Sequence, residues 1–143
     1  MLIWPGGADI DFLGLTLTGD GPKAPTLSHV TAPSALRYIA HGDSITQGFC
    51  GGAESYPELL ARLAGWLPVN MGIQGMRARF AADPMHGAEI GRLEPDLVTI
   101  LIGINDGWDD DVGRSVGSIL DGIRSVSRRV PVAVITTLDT DSD

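Results

Sequence analysis

Apolar residues along this chain fall into four short runs that are typical of strands in a parallel sheet. The third run, Leu-Val-Thr-Ile-Leu-Ile, is almost continuous in residues that favour strands, as expected where helices cover both faces of a sheet. The runs predict strands at residues 36–41, 67–71, 97–102 and 132–137.

Segments with the apolar period of a helix separate these runs. Residues 55–58, Ser-Tyr-Pro-Glu, form a capping box with proline in the first turn, which predicts that a helix follows. A second helical stretch covers residues 76–93 and is interrupted at Pro84 and Gly87. A third helix, preceded by acidic residues and followed by arginines as the helix dipole favours, has one apolar stripe of Val112, Val116, Ile119, Leu120, Ile123 and Val126.

The alternation of strands and helices predicts an α/β fold in which helices cover both faces of a parallel sheet. Active groups in such sheets lie at the carboxyl ends of the strands. Ahead of this domain, residues 10–18 show the alternation of a half-buried strand, and Gly and Pro interrupt residues 19–35. We therefore expect an N-terminal β segment with its connection over residues 1–35, and the α/β domain over residues 36–143.

Composition and charge narrow the classes of partner. The 143 residues are 43% hydrophobic and carry 10 Lys or Arg against 18 Asp or Glu, a formal charge of −8. Nucleic acid and anionic membranes repel such a chain, so we expect neither as a partner. No stretch resembles a membrane span or a secretory signal, which makes the cytoplasm the default location. The histidines and the single cysteine, Cys50, lack zinc-ligand spacing, and we expect no metal or cofactor.

Three residues suited to acyl transfer follow three of the predicted strands. Ser44 follows the first strand, Gly72 the second and Asn105 the third. Each is also a common turn residue, and each taken alone is better explained by its turn. Together they offer a nucleophilic hydroxyl with an N–H and an amide that can hold the negative charge of a tetrahedral intermediate.

The segments around these residues resemble a known family of enzymes. Residues 42–46 (Gly-Asp-Ser-Ile-Thr), Asn70-x-Gly72 with Gly75, and residues 103–106 (Gly-Ile-Asn-Asp) are similar to the first three sequence blocks of the GDSL/SGNH hydrolases. The order of the blocks is the same and their spacing fits. The resemblance covers about residues 36–137.

The resemblance implies that Ser44 is the nucleophile and that its N–H, the Gly72 N–H and the Asn105 amide hold the oxyanion. It also implies a flavodoxin-like three-layer fold, and an esterase, lipase or deacetylase activity that uses no metal. The N-terminal β segment further resembles the end of a small β-domain that precedes the catalytic domain in some carbohydrate-esterase-like members.

The last block of the family, Asp-x-x-His, follows the final strand and supplies the general base and the carboxylate that orients it, and this sequence has no such block after its fourth predicted strand. Its histidines are His29, His41 and His86, all before the third strand. We therefore expect the C-terminal part of the domain to be missing, the 143 residues alone to be inactive, and the open sheet edge to favour self-association. The alternative bases are His41, in the first strand, and His86, expected in a surface loop.

The sequence thus predicts a hydrolase of carboxylic esters, such as acetyl or short acyl esters of carbohydrates, that forms an acyl-serine. The alternative is a non-catalytic module that keeps the crevice and binds a ligand. Other residues have simpler interpretations. Asp43 and Asp106 hold their turns, Trp66 belongs to the core, and Trp108 either lines the substrate pocket or packs beneath its loop.

Overall fold

The computed structural model describes residues 35–49, 54–107 and 111–136. The predicted N-terminal β segment, Trp108 and the end of the fourth predicted strand lie outside these residues. One sheet contains β1 (Arg37–Gly42), β2 (Leu67–Gly72), β3 (Leu97–Leu101) and β4 (Val132–Val134). The helices are α1 (Ser44–Gln47), α2 (Tyr56–Ala64), α3 (Ala78–Ala81), α4 (Pro84–Arg92) and α5 (Val112–Val126).

The sheet has the strand order β2-β1-β3-β4, and every neighbouring pair is parallel. These are the first four places of the flavodoxin-like order, so the predicted α/β fold is confirmed. The chain leaves β1 on one side for β2 and later returns to the other side for β3. Ligands bind such sheets at the carboxyl ends of the strands where the order reverses, which here means the ends of β1 and β3.

Two apolar cores cover the two faces of the sheet and make three layers. Alternate residues of β1 contribute to each, because successive side chains of a strand point to opposite faces. Ile39 packs with β3 and with α3, α4 and α5, whereas Tyr38 and Ala40 pack with Ala61 of α2. Trp66, predicted in the core, is half-buried and meets the Tyr38 ring edge-on at 5.6 Å.

The stretch predicted as one interrupted helix forms two helices. Pro84 begins α4 rather than breaking it, because a proline in the first turn removes only an N–H that has no partner inside the helix. Asp83 caps this helix, and its Oδ1 accepts the Met85 N–H at 2.8 Å. Gly87 lies inside α4, at its contact with α5.

Helices α4 and α5 cross at a contact made by two glycines. A Cβ on Gly122 of α5 would collide with the Pro84 carbonyl oxygen and lie 2.9 Å from Gly87 Cα. A Cβ on Gly87 would likewise collide with the Ile119 carbonyl oxygen. The two helix backbones therefore approach more closely than any larger side chain permits.

Candidate active site

Ser44 is the first residue of α1, and only Asp43 separates it from the end of β1. Asp43 is fully buried and caps α1, since its Oδ1 accepts the Ile45 N–H at 2.9 Å. Gly42 is required at this turn, because a Cβ there would collide with the Leu101 carbonyl oxygen of β3. Ser44 is half-buried, and its hydroxyl makes no hydrogen bond with the residues that the structure describes. The turn thus presents an unpaired hydroxyl at the carboxyl edge of the sheet.

Asn105 lies in the loop after β3, and its amide joins this loop to the loop after β2. Asn105 Nδ2 donates to the Met76 carbonyl oxygen at 3.0 Å. The next residue, Asp106, adds a second link, because its Oδ2 accepts the Ala78 N–H at 2.9 Å. An amide nitrogen carries two hydrogens, so one N–H of Asn105 remains for a ligand.

Gly72 ends β2 close to α1. A Cβ on Gly72 would collide with the backbone nitrogen of Gln47, so the glycine allows the helix to pack against β2. The Gly72 N–H already donates to Asn70 Oδ1 at 2.9 Å, and Asn70 Nδ2 donates to the Thr46 carbonyl oxygen at 2.8 Å. An oxyanion at Gly72 would have to share or replace this bond, and the role of Gly72 as a donor stays a prediction.

Gly75 offers a backbone N–H donor that was not predicted from the ends of the strands. It lies in the turn after β2 with φ +72°, and its N–H has no acceptor among the described residues. It directly precedes Met76, whose carbonyl holds the Asn105 amide. In the sequence, Gly75 is the glycine that accompanies the Asn70-x-Gly72 segment. A free N–H of this kind is suited to an oxyanion.

Comparison with known proteins identifies the family of this chain. Residues 40–142 match the model of the GDSL-like Lipase/Acylhydrolase family. The chain belongs to this family. The predicted resemblance is confirmed, and the described sheet is the corresponding part of the SGNH hydrolase fold. No curated protein matches the chain.

Solved structures of SGNH hydrolases share the fold. A putative lipolytic protein of the G-D-S-L family from Desulfitobacterium hafniense DCB-2 has a TM-score of 0.60 at 21% identity, with 74% of this chain and 62% of that chain covered. AlinE4, an SGNH-hydrolase family esterase, has a TM-score of 0.54 at 21% identity, with 73% of this chain and 60% of that chain covered. A Clostridium thermocellum family 3 carbohydrate esterase has a TM-score of 0.55 at 22% identity, with 70% of this chain and 60% of that chain covered. This chain therefore spans 60% to 62% of the length of these structures.

Neither histidine that the structure describes is hydrogen-bonded to the serine of this GDSL-like domain. His41 points from β1 toward α4, and its ring meets that of His86 with centroids 4.8 Å apart. His86 was expected in a surface loop, but it lies half-buried in α4 because Pro84 starts that helix. His41 is fully buried, and neither of its ring nitrogens has a hydrogen-bond partner among the described residues. Burial, with a smaller effect of nearby His86, lowers the pKa of His41 from 6.5 to about 4.

The lowered pKa of His41 predicts that the domain loses stability in acid. Between pH 6.5 and about 4 the unfolded chain binds a proton at His41 that the folded chain excludes. The free energy of unfolding should therefore keep its full value above pH 6.5 and fall as the pH drops to 4. The expected loss is about 3 kcal/mol, at ~1.4 kcal/mol per pKa unit. Urea unfolding of the wild type and of His41→Leu across this pH range measures the effect.

The matched variant is His86→Leu. It removes the smaller cause of the low pKa but leaves His41 buried, so most of the acid loss should remain in this variant. Equal pH dependence in the wild type and His41→Leu would contradict the prediction.

A groove lies beside Met76. It has a volume of about 390 Å³ and places apolar side chains beside a histidine and two acids. Its lining residues are Met76, Phe80, Ala81, Asp83, Met85, His86 and Glu89. Met76, whose carbonyl oxygen accepts the Asn105 amide N–H, is the lining residue that connects this groove to Asn105.

Candidate metal clusters and membrane-spanning helices are both absent from the described ranges. No group of three or more His, Cys, Asp or Glu side chains there could hold a metal ion. None of the helices described is both long and apolar enough to span a bilayer.

Proposed function

We propose that this chain carries the nucleophile and the oxyanion donors of a serine ester hydrolase. The observation that carries the proposal is the placement of Ser44 and Asn105 after adjacent parallel strands, where the strand order reverses. The Ser44 hydroxyl has no competing partner in the described residues, and the Asn105 amide keeps one N–H for a ligand.

The proposed reaction has two steps. The Ser44 oxygen attacks the ester carbonyl, and the carbonyl oxygen becomes an oxyanion that the Asn105 amide and backbone N–H groups stabilise. The backbone donors are Ser44 and either Gly72 or Gly75, of which Gly75 has the free N–H. The alcohol leaves, an acyl-serine remains, and water releases the acid through the same oxyanion arrangement.

The general base is proposed to come from the Asp-x-x-His block of the family. His41 is fully buried against His86, and no histidine follows residue 86 in the sequence. Without a base the serine keeps its proton, so the 143 residues alone should hydrolyse esters only near background. Addition of a segment with the missing block should restore turnover.

The proposed substrates are acetyl or short acyl esters of carbohydrates. One structure that shares the fold is described as a carbohydrate esterase of family 3. The rim of the groove beside Met76 also fits a sugar, because the Asp83 and Glu89 carboxylates can accept hydrogen bonds from hydroxyl groups.

A second candidate is a non-catalytic module that binds a ligand in the same crevice. The observation that favours it is that neither described histidine is hydrogen-bonded to Ser44 and that their rings contact each other instead. Self-association is also proposed. Strand β4 is the outer strand of the described sheet, and Val134 on it is 47% exposed.

The test of the hydrolase is Asn105→Ala in a chain extended by a segment with the Asp-x-x-His block. Its kcat for p-nitrophenyl acetate should fall roughly 10²- to 10³-fold with little change in KM, because the amide acts mainly on the transition state. Gln74→Ala removes an exposed amide from the neighbouring loop and should leave kcat unchanged. An unchanged kcat in Asn105→Ala would remove Asn105 from the site, and ligand binding without hydrolysis would favour the second candidate.

A further inference from the structure

The side chain of Asn70 joins three segments of the domain. Asn70 lies in β2, and its Nδ2 donates to the Thr46 carbonyl oxygen of α1 at 2.8 Å. The same nitrogen donates to Ser55 Oγ, on the residue before α2, at 3.1 Å. At the other end of the amide, Oδ1 accepts the Gly72 N–H at 2.9 Å. One side chain therefore binds α1, the start of α2 and the end of its own strand.

These hydrogen bonds determine which way the Asn70 amide points. The nitrogen has two hydrogens, and two acceptors lie within reach of it, one of them the Thr46 carbonyl oxygen. A flipped amide would place Oδ1 against that carbonyl oxygen and Nδ2 against the Gly72 N–H. Both contacts would then join like groups, so only the observed orientation satisfies the three partners.

Helix α1 needs contacts from outside because it is short. It has four residues, Ser44–Gln47, and begins with the candidate nucleophile. A helix of this length is not stable alone, and the carbonyl groups of its last turn have no partner within it. Asp43 holds the start of α1 through the Ile45 N–H, and Asn70 supplies a donor to the Thr46 carbonyl oxygen near its end.

The other end of the Asn70 side chain shapes the loop after β2. Its bond to the Gly72 N–H, two residues later, is that of an Asx turn. The loop that follows contains Gly75, whose N–H is free among the described residues, and Met76, whose carbonyl oxygen accepts the Asn105 amide. Asn70 therefore connects the helix of the nucleophile to the loop of the candidate oxyanion donors.

We propose that Asn70 is a positioning residue, which fixes α1, and with it the Ser44 hydroxyl, relative to the loop that carries Gly75 and holds Asn105. Asn70 acts through α1 and this loop, without contact to the substrate. The consequence for catalysis rests on the proposed function. The consequence for the placement of α1 does not, because it follows from the three hydrogen bonds alone.

Two backbone N–H groups report on the position of Ser44. The Ser44 carbonyl oxygen accepts the N–H groups of Gly48 and Phe49, each at 3.0 Å. In Asn70→Ala both should exchange with deuterium roughly 10- to 100-fold faster than in the wild type, as expected when local opening no longer breaks one or two hydrogen bonds. The N–H groups of α5 should change less. Exchange followed by NMR in the 143-residue chain at neutral pH measures both sets.

Asn70→Asp separates the two ends of the side chain. An aspartate keeps an oxygen for the Gly72 N–H, but at neutral pH it has no hydrogen to donate to the Thr46 carbonyl oxygen. Exchange at Gly48 and Phe49 should therefore accelerate as in Asn70→Ala, while the Gly72 N–H keeps its protection. Unchanged exchange at Gly48 and Phe49 in both variants would overturn the proposal.

Tyr38→Phe is the matched control for a general loss of stability. It removes the buried hydrogen bond between the Tyr38 hydroxyl and Thr99 Oγ1, which are 2.8 Å apart. Tyr38 is the second residue of β1, and α1 follows the opposite end of that strand. Exchange in α1 should not accelerate more than exchange in α5 in this variant. If Asn70→Ala gave the same profile, Asn70 would only add to overall stability, and the proposal would be wrong.

The wild type offers a measurement that needs no variant. Both side-chain amide hydrogens of Asn70 are hydrogen-bonded, whereas Gln74 in the following loop is exposed. The Asn70 amide hydrogens should therefore exchange roughly 10-fold or more slowly than those of Gln74. Equal rates would overturn the proposal even if every variant failed to fold.

Kinetics in the chain extended by the missing base block test the consequence for catalysis. Asn70→Ala should lower kcat for p-nitrophenyl acetate roughly 10-fold or more with little change in KM, because displaced groups stabilise the transition state less. Tyr38→Phe should keep the wild-type kcat. An unchanged kcat in Asn70→Ala would overturn the positioning role. If the exchange results hold but the extended wild type hydrolyses no ester, the proposed function alone is rejected.

Discussion

Ser44→Ala is expected to lower kcat for ester hydrolysis by about 10⁶-fold in a chain extended by the missing base block. The magnitude is that of removing the nucleophile or the histidine of a serine protease triad. The reason lies in the placement of Ser44, which begins α1 one residue beyond the strand–helix boundary at Asp43 and has a hydroxyl that no described residue engages. Steady-state hydrolysis of p-nitrophenyl acetate, with mass spectrometry of the trapped acyl-enzyme, measures the loss.

Ser118→Ala is the control for this variant. Ser118 lies in α5 and its hydroxyl donates to the Arg114 carbonyl oxygen, so its removal should leave turnover unchanged. An acyl group found on a residue other than Ser44, or a turnover that survives Ser44→Ala, would show that the nucleophile is elsewhere.

Gly122→Val is expected to lower the free energy of unfolding by about 4 kcal/mol, the range of severe overpacking in a core. A Cβ at this position already collides with the Pro84 carbonyl oxygen and lies 2.9 Å from Gly87 Cα. The obstacle is backbone on the facing helix, which cannot rotate away as a side chain can. Urea unfolding monitored by circular dichroism measures the loss.

The same substitution at Gly117 serves as its control. Gly117 lies in the same helix, and a Cβ there would meet nothing within 4 Å. Valine has a slightly higher helix propensity than glycine, so Gly117→Val should leave stability unchanged or raise it by a few tenths of a kcal/mol, roughly. Equal effects at the two positions would mean that the close approach of α4 and α5 is not retained in solution.

The order of strands and helices could be predicted from the sequence because each strand is a short apolar run with few polar interruptions. The predicted strands at residues 67–71 and 97–102 differ from β2 and β3 by one residue at one end, and the strand predicted at 36–41 is shifted by one residue from β1. The fourth strand, predicted at 132–137, ends at Val134. The capping box at Ser55 is present, since the Ser55 N–H donates to Glu58 Oε2 at 3.0 Å. Most of the apolar side chains of α2 are not buried, since Leu63 is 73% exposed and only Pro57 and Ala61 of this helix are buried.

Only the residues of the site that follow strands could be predicted from the sequence. Strand order places Ser44 and Asn105 at one edge of the sheet, and the sequence blocks similar to those of the family identify them. Hydrogen bonds between distant residues leave no such pattern. The Asn70 side chain engages the Gly72 N–H, and Asn105 holds Met76 across 29 positions of sequence. Burial of the two histidines against each other likewise depends on the packing of α4, which the sequence does not specify locally.

The paired links from Asn105 to Met76 and from Asp106 to Ala78 make the loops after β2 and β3 a single exchangeable unit. If only one of these loops were replaced by that of a relative, the Asn105 amide and the Asp106 carboxylate would no longer match the spacing of the backbone groups that they bind. Transfer of residues 73–78 together with residues 103–107 would carry both links intact. Successful specificity grafts in this fold should therefore be those that move the two segments as one.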